Sequence, residues 1–260
     1  MNDILPARDP LLVFDQLTVS YRNGSSTPVL DKFSLKIEAG KFLSVVGPSG
    51  CGKSTLLHAT GGFIKPSSGA IHLGGELIQG PSLRVGFVSQ RYSLFPWLTV
   101  EDNIAFGLRS QGRPDDEMRA AVDRLLEVIG LTSQRRYYPE QLSGGMQQRV
   151  ALARAMAPEP PVMLLDEPFS SLDAETRQRM RELLLRLWTE HQTTILFVTH
   201  DIEESLLLAD RVLLLEGKSG PARTLEVPFP RPRAHSLPLI EPFQKLVETI
   251  SQHYGAPLND

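Results

Sequence analysis

Phe42-Leu43-Ser44-Val45-Val46 runs directly into Gly47-Pro48-Ser49-Gly50-Cys51-Gly52-Lys53-Ser54, and Thr55-Leu56-Leu57-His58-Ala59-Thr60 follows. The first five residues have the length and β-rich composition of a buried strand. The next eight fit G-x-x-x-x-G-K-[ST], and the last six continue as a helix. That context gives the motif its meaning. Glycines let successive backbone N–H groups turn inward around phosphate oxygens, and the helix N-terminus adds a favourable dipole. Lys53 is placed to reach terminal phosphates, and Ser54 offers a hydroxyl to Mg²⁺.

Downstream, strands and helices alternate: strand 162–165, helix 174–190, strand 194–199, helix 202–209, strand 211–215. Alternation with short connections predicts right-handed crossovers, a parallel sheet and an α/β fold. Upstream the chain is strand-rich, with strands at 11–20, 29–37, 69–73 and 85–88 around the single helix 53–61. Residues 21–26 read as a turn through Asn23-Gly24. Between these regions 100–108, 115–129 and 144–156 read as helices. The second has Met118, Ala121, Val122, Leu125, Leu126, Val128 and Ile129 on one face, Pro114 at its start and Gly130 past its end. A helical block over 91–158 is therefore inserted into an α/β domain. Residues 229–238, rich in proline, are expected to be extended. Leu239, Phe243, Leu246 and Ile250 then recur at helical spacing, as in a terminal helix with one packed face. Lys245 alone among basic residues is too little for a membrane-surface helix.

The 260 residues allow one large domain or two small ones. At 41% hydrophobic and 22% charged the chain is not largely disordered. A net charge of -3 gives no general basic face, so a nucleic-acid partner is not expected. One cysteine, Cys51, excludes an intrachain disulfide framework. Residues 1–10 carry no signal-peptide core, and no run approaches the ~18 apolar residues of a membrane span. A membrane role would come through a partner.

Val162-Met163-Leu164-Leu165 is an apolar strand that ends in Asp166-Glu167. Asp166 suits a Mg²⁺ held through water, and Glu167 suits an attacking water. His200 and Gln90 each end a strand, where ligands of open α/β sheets bind. There His200 is placed for the γ-phosphate, and Gln90 for Mg²⁺ or water. Leu142-Ser143-Gly144-Gly145-Met146-Gln147-Gln148-Arg149 is a second phosphate-binding device: a good N-cap, then bare amides at a helix start. One nucleotide does not easily use both devices of one molecule. A head-to-tail dimer, each nucleotide held by one chain's loop and the other chain's Ser143 helix, reconciles them. Cys51 has two readings: a thiolate activated by Lys53 and the helix end, or an inert side chain turned into the core.

Together these elements resemble the ABC ATPase family, and specifically the nucleotide-binding subunit of an ABC transporter. The resemblance covers about residues 11–217. It implies a P-loop NTPase (RecA-like) core with an N-terminal antiparallel β subdomain and an inserted α-helical subdomain. One ABC ATPase domain would span 11–236, with a helical tail at 237–260. It also implies ATP and Mg²⁺ as ligands. Tyr21 matches the residue that stacks on adenine, and Gly47, Pro48, Ser49, Gly50, Cys51, Gly52, Lys53, Ser54 and Thr55 match the phosphate loop. Ser143, Gly144, Gly145 and Gln147 match the signature, with Met146 ahead of the glutamine. Ser171-Leu172-Asp173 matches the D-loop. Catalysis would fall to Glu167, His200, Gln90 and Lys53, and the metal to Ser54, Gln90 and Asp166. The run Gln90-Arg91-Tyr92-Ser93-Leu94-Phe95-Pro96-Trp97 resembles importers for nitrate, sulfonate and taurine. It implies a homodimer (or paired ATPase) under two copies of a permease, served indirectly by a solute-binding protein. The place of work would be the cytoplasmic face of the cell membrane. A soluble ABC ATPase and an exporter subunit are the alternatives.

Overall fold

A computed structural model describes residues 10–21, 27–90, 93–217, 222–233 and 236–254. The expected turn at 22–26, residues 1–9, and Arg91 and Tyr92 lie outside them. In chain order the strands are β1 (Pro10–Val19), β2 (Leu30–Glu38), β3 (Phe42–Val46), β4 (Ser68–Leu73), β5 (Glu76–Leu77), β6 (Val85–Val88), β7 (Val162–Asp166), β8 (Thr194–Val198), β9 (Arg211–Leu215) and β10 (Ala222–Glu226). The α-helices are α1 (Lys53–Thr60), α2 (Val100–Ser110), α3 (Asp115–Val128), α4 (Gly144–Met156), α5 (Ala174–His191), α6 (Ile202–Leu208) and α7 (Glu241–Tyr254).

Two sheets form. One is antiparallel, in the order β2-β1-β4-β5. The other, β10-β9-β3-β8-β7-β6, is parallel except for its edge strand β10. Helices or strands cover both faces of this sheet, which is why its strands read as continuous apolar runs. β3 shows the division. Phe42 and Val46 face a core shared with Ile104, Leu126, Leu152, Leu187 and Phe243. Leu43 and Val45 face a second core shared with Leu56 and Leu57 of α1 and with Leu12, Phe14, Ile37 and Ile71 of the antiparallel sheet. The helical block α2–α4 lies in sequence between β6 and β7, which pair directly in parallel from Val85↔Val162 onward. It is therefore one long crossover, and its apolar face continues the first core.

The terminal helix packs through Phe243 and Ile250, buried in that core, and the partly buried Leu246, but Leu239 precedes the helix and is 77% exposed, outside the expected face. The stretch before it departs from the extended reading. It bends and forms a 3₁₀ turn at Leu237–Leu239. The cause is the pair of arginines in the Pro230-Arg231-Pro232-Arg233 run. Arg231 donates to Asp210 Oδ1 at 2.9 Å and to the Leu208 carbonyl. Arg233 Nη1 donates to the carbonyls of Leu206, Leu207 and Ala209 at 2.9, 3.1 and 2.7 Å. These are the orphan carbonyls at the C-terminal end of α6.

Candidate functional site

The sheet order brings the candidate residues together. β8 pairs with both β3 and β7, and β7 pairs with β6. Because all four run parallel, the phosphate loop, His200, Asp166-Glu167 and Gln90 emerge along one carboxyl edge, where open α/β sheets bind ligands.

The loop's shape demands glycine at two places. A Cβ on Gly47 would lie 2.4 Å from the Leu215 carbonyl oxygen. Gly52, the residue that starts α1, sits at φ 109°, which L side chains rarely adopt. Lys53 folds back over the loop, its Nζ donating to the carbonyls of Gly47 and Pro48 at 2.7 and 2.9 Å. The loop, Tyr21, Thr55, Glu167 and His200 line a cavity of about 490 Å³. That volume suits a small-molecule ligand. Tyr21 is 48% exposed at its rim and shares a 3.0 Å hydrogen bond between its hydroxyl and Thr55 Oγ1.

Ser54 Oγ donates to Asp166 Oδ1 at 3.1 Å. Burial pushes the Asp166 carboxyl up from the usual range, against the pull of that Ser54 bond. Two hard oxygen donors side by side suit Mg²⁺, which takes few protein ligands when phosphates complete its shell. Among the described residues no group of three His, Cys, Asp or Glu side chains could hold a metal unaided. Glu167 stands at φ 45°, an unfavourable backbone for a non-glycine residue, and its N–H donates to the Val198 carbonyl at 2.9 Å. Its Oε2 meets His200 Nδ1 at 3.1 Å.

The second device stands apart. Ser143 caps α4, its hydroxyl accepting from Met146 N at 3.3 Å. Ser143, Gly144 and Gly145 line a different cavity of about 970 Å³, together with Ser171, Leu172 and Asp173. The two cavities share no lining residue. Gln147 works inside the signature loop: its Nε2 donates to the carbonyls of Pro139 and Leu142 at 2.9 and 3.2 Å. Gln90 is exposed at the end of β6.

Of the two readings of Cys51, the structure supports the inert side chain turned into the core. Its side chain is 2% exposed and belongs to the core beneath the loop. Burial pushes the thiol up, outweighing the Lys53 ammonium that pulls it down.

The expected docking segment is built as follows. Phe95 is half-buried, between Trp97 at a ring-centroid distance of 5.5 Å and Phe106 at 4.6 Å, with the Arg154 guanidinium 4.9 Å from its ring centroid. Trp97 is 71% exposed. Asn103, for which the sequence suggests no structural role, is fully buried and holds this loop. Its Oδ1 accepts from Phe95 N at 2.9 Å, and its Nδ2 donates to the carbonyls of Phe95, Leu98 and Thr99 at 3.2, 3.1 and 3.0 Å.

A phosphate loop opening a helix from the middle of a parallel sheet, with Asp and Glu at the end of a strand two places along, beyond β8, defines a P-loop nucleotidase. The signature cap and the helical crossover narrow it: the chain belongs to the ABC transporter family, whose profile matches residues 30–170. It is an ATP-binding subunit that hydrolyses ATP. The nitrate import ATP-binding protein NrtD of Synechococcus elongatus is 46% identical over 220 residues, 82% of this chain and 79% of that protein. The aliphatic sulfonates import ATP-binding protein SsuB of Bacillus licheniformis is 46% identical over 210 residues, 80% of this chain and 81% of its own. The taurine import ATP-binding protein TauB of Jannaschia sp. is 46% identical over 198 residues, 76% and 74% of the two chains. Among solved structures, the ATP-binding cassette MJ0796, a dimer in a post-hydrolysis state bound to ADP and Pi, has a TM-score of 0.74 at 31% identity. The alignment covers 84% of this chain and 99% of that one. CbiO1 of Clostridium perfringens, part of the ABC transporter complex cbiONQ, has a TM-score of 0.77 at 27% identity over 94% and 96%.

Proposed function

We propose that this chain is one of a pair of ATP-hydrolysing subunits that drive import of a small anionic or zwitterionic solute, of the nitrate, sulfonate or taurine class, through a separate permease. The observation that carries the paired arrangement is the separation of the two phosphate-binding devices into cavities with no common residue. Two chains set head to tail complete both sites at once, and the dimeric cassette among its structural relatives supports this. One ABC ATPase domain spans 11–236, with its helical subdomain at 91–158 and a tail at 237–260. Among the described residues no helix is long and apolar enough to cross a membrane. The subunit works at the cytoplasmic membrane face, held by two permease copies over the segment 90–97 and the exposed Trp97 ring. A solute-binding protein acts only through the permease.

In this reading Tyr21 stacks on the adenine, and the amides of residues 47–55 cradle the phosphates. Lys53 exchanges the loop carbonyls it now holds for phosphate oxygens. Ser54, Asp166 and Gln90 hold Mg²⁺, which neutralises charge on the phosphates when bound. Glu167 orients the attacking water and accepts its proton. His200 steadies Glu167 through Nδ1 and offers Nε2 to the γ-phosphate. The partner's signature amides close over the same phosphate. ATP thus draws the dimer shut, and hydrolysis releases it.

Glu167→Gln tests this directly. The variant is expected to bind ATP, to lose about a hundredfold or more in turnover, and to elute as a dimer with ATP while the wild type does not. Wild-type turnover in the variant refutes the assignment.

A further inference from the structure

Behind Glu167 and His200 lies a small cavity of about 20 Å³ that both residues line, along with Arg177, Thr199, Asp201 and Glu204. Glu204, on α6, is 3% exposed, and none of the roles above uses it. Its Oε2 accepts from the Thr199 hydroxyl at 2.8 Å. That hydroxyl oxygen accepts from Asp201 N at 3.0 Å, and Asp201 Oδ1 accepts from Glu204 N at 3.0 Å. The three bonds close a ring around the two residues that flank His200.

Arg177, in the first turn of α5, reaches this ring from the other side. Its Nη1 lies 4.0 Å from Asp201 Oδ2, and its Nη2 donates to the Leu172 carbonyl at 3.0 Å. Leu172 and Asp173 line the signature-side cavity. One guanidinium therefore touches the turn of His200 and the loop that serves the other half-site. Glu204 Oε1 and Arg177 Nε are both buried with no hydrogen-bond partner among the described residues. Their side chains line the same cavity, which has room for about one water. Two such atoms of opposite charge, left bare in one small space, are costly unless they serve each other.

We propose that Glu204 and Arg177 are positioning residues for hydrolysis: the Glu204 carboxylate holds the Thr199 hydroxyl and so aims His200 at Glu167, and Arg177 couples that turn to the loop of Asp173. The inference rests on the ATPase reading and adds a link between the two half-sites of one chain. Charge around the carboxylate is mixed. Arg177 and Arg181 come from α5, Asp201 and His200 from the turn before α6, and Glu167 from the end of β7. Burial pushes the Glu204 carboxyl up to about 7, with the Thr199 bond and the two arginines opposing and Asp201 reinforcing. The carboxyl gains its charge as pH rises through neutrality, and its hold on Thr199 strengthens there.

The test is steady-state ATP hydrolysis by the full chain across pH 6 to 8, with Glu204→Gln, Thr199→Ser and Thr199→Val. Glu204→Gln keeps shape and an acceptor but not charge. It is expected to lower kcat about tenfold while KM for ATP stays within about twofold. The wild type is expected to show kcat rising with pH across this range, and in Glu204→Gln that rise should flatten. Thr199→Ser keeps the hydroxyl and restores the wild-type profile, whereas Thr199→Val behaves like Glu204→Gln. Two results overturn the proposal: an unchanged kcat and pH profile in Glu204→Gln and Thr199→Val, or losses of kcat matched by equal losses of ATP binding and of folded protein. If the wild type itself binds ATP without hydrolysing it, the ATPase reading falls and this inference falls with it.

Discussion

Replacing Asn103 isolates the loop that carries the docking aromatics from the chemistry of the phosphate site. The orientation of its amide is fixed by its partners: Phe95 N needs an acceptor, and the two N–H groups of Nδ2 are shared among three carbonyls, of which Phe95 and Thr99 also accept backbone bonds. Asn103→Ala removes all four contacts. Each net bond contributes about 1 kcal/mol, and the half-buried loop recovers part of its hydration, so the expected loss is about 2–4 kcal/mol. Asn103→Asp is the sharper variant. It keeps the acceptor for Phe95 N but turns a second oxygen toward three carbonyls. A carboxylate there is disfavoured by burial and by those dipoles, so its folded pKa rises above the unfolded value of about 4. The sign then follows. The charge penalty is complete above the folded pKa, shrinks as pH falls through it, and vanishes below about 4. Urea unfolding at pH 8 and pH 5 reads both effects. Asn103→Asp should be less stable than Asn103→Ala at pH 8 and regain stability at pH 5. An Asn103→Asp variant as stable as the wild type at pH 8 would refute the assigned geometry.

Arg233→Ala strips a guanidinium from three helix-end carbonyls and from the Phe229 carbonyl, bonded at 3.0 Å. A loss of about 2–4 kcal/mol in urea unfolding is expected, with only partial recovery in Arg233→Lys, which lacks the fork; an unaffected midpoint contradicts the clamp. Cys51, buried and with its thiol pushed up, should resist maleimide with or without MgATP and react once urea unfolds the chain; labelling of the folded protein contradicts its placement. Trp97→Asp should leave the melting temperature within about 1 °C and lower the share of the chain recovered with membranes that carry the permease; unchanged recovery rules Trp97 out of the docking face.

What the sequence made legible follows from how local each signal is. β3, β6, α4 and β9 coincide with their expected bounds, because buried parallel strands are unbroken apolar runs and α4 begins at a serine cap. The phosphate loop, Asp166, Glu167 and His200 were readable because short strands put their tips at fixed sequence positions. β5 and β10 escaped. The first has two exposed residues, and the second, Ala222–Glu226, is a largely polar edge held only by its pairing with β9. Residues 229–238 misled for a related reason: proline biases the backbone toward extension, but long-range arginine–carbonyl bonds bend it. Asn103 and Glu204 were invisible because a polar residue on a helix reads as surface until its partners are known. The one signal within reach was their position on the apolar face of their own helices. For Cys51 the sequence leaves both readings open, because the dipole and ammonium beside it are local signals and only packing decides that burial outweighs them.

The central claim is that each ATP is hydrolysed between two chains. Lys53→Ala disables a phosphate loop and leaves that chain's signature intact. Ser143→Asp keeps an N-cap, since aspartate caps as well as serine, and sets a negative charge where the partner's phosphate would approach. Each variant alone should be nearly inactive. Mixed chains contain heterodimers in which the sound loop of one chain faces the sound signature of the other, so phosphate release by the mixture should exceed that of either variant by a wide margin. A mixture no more active than the sum of its parts, or full activity of Ser143→Asp alone, would contradict the composite site.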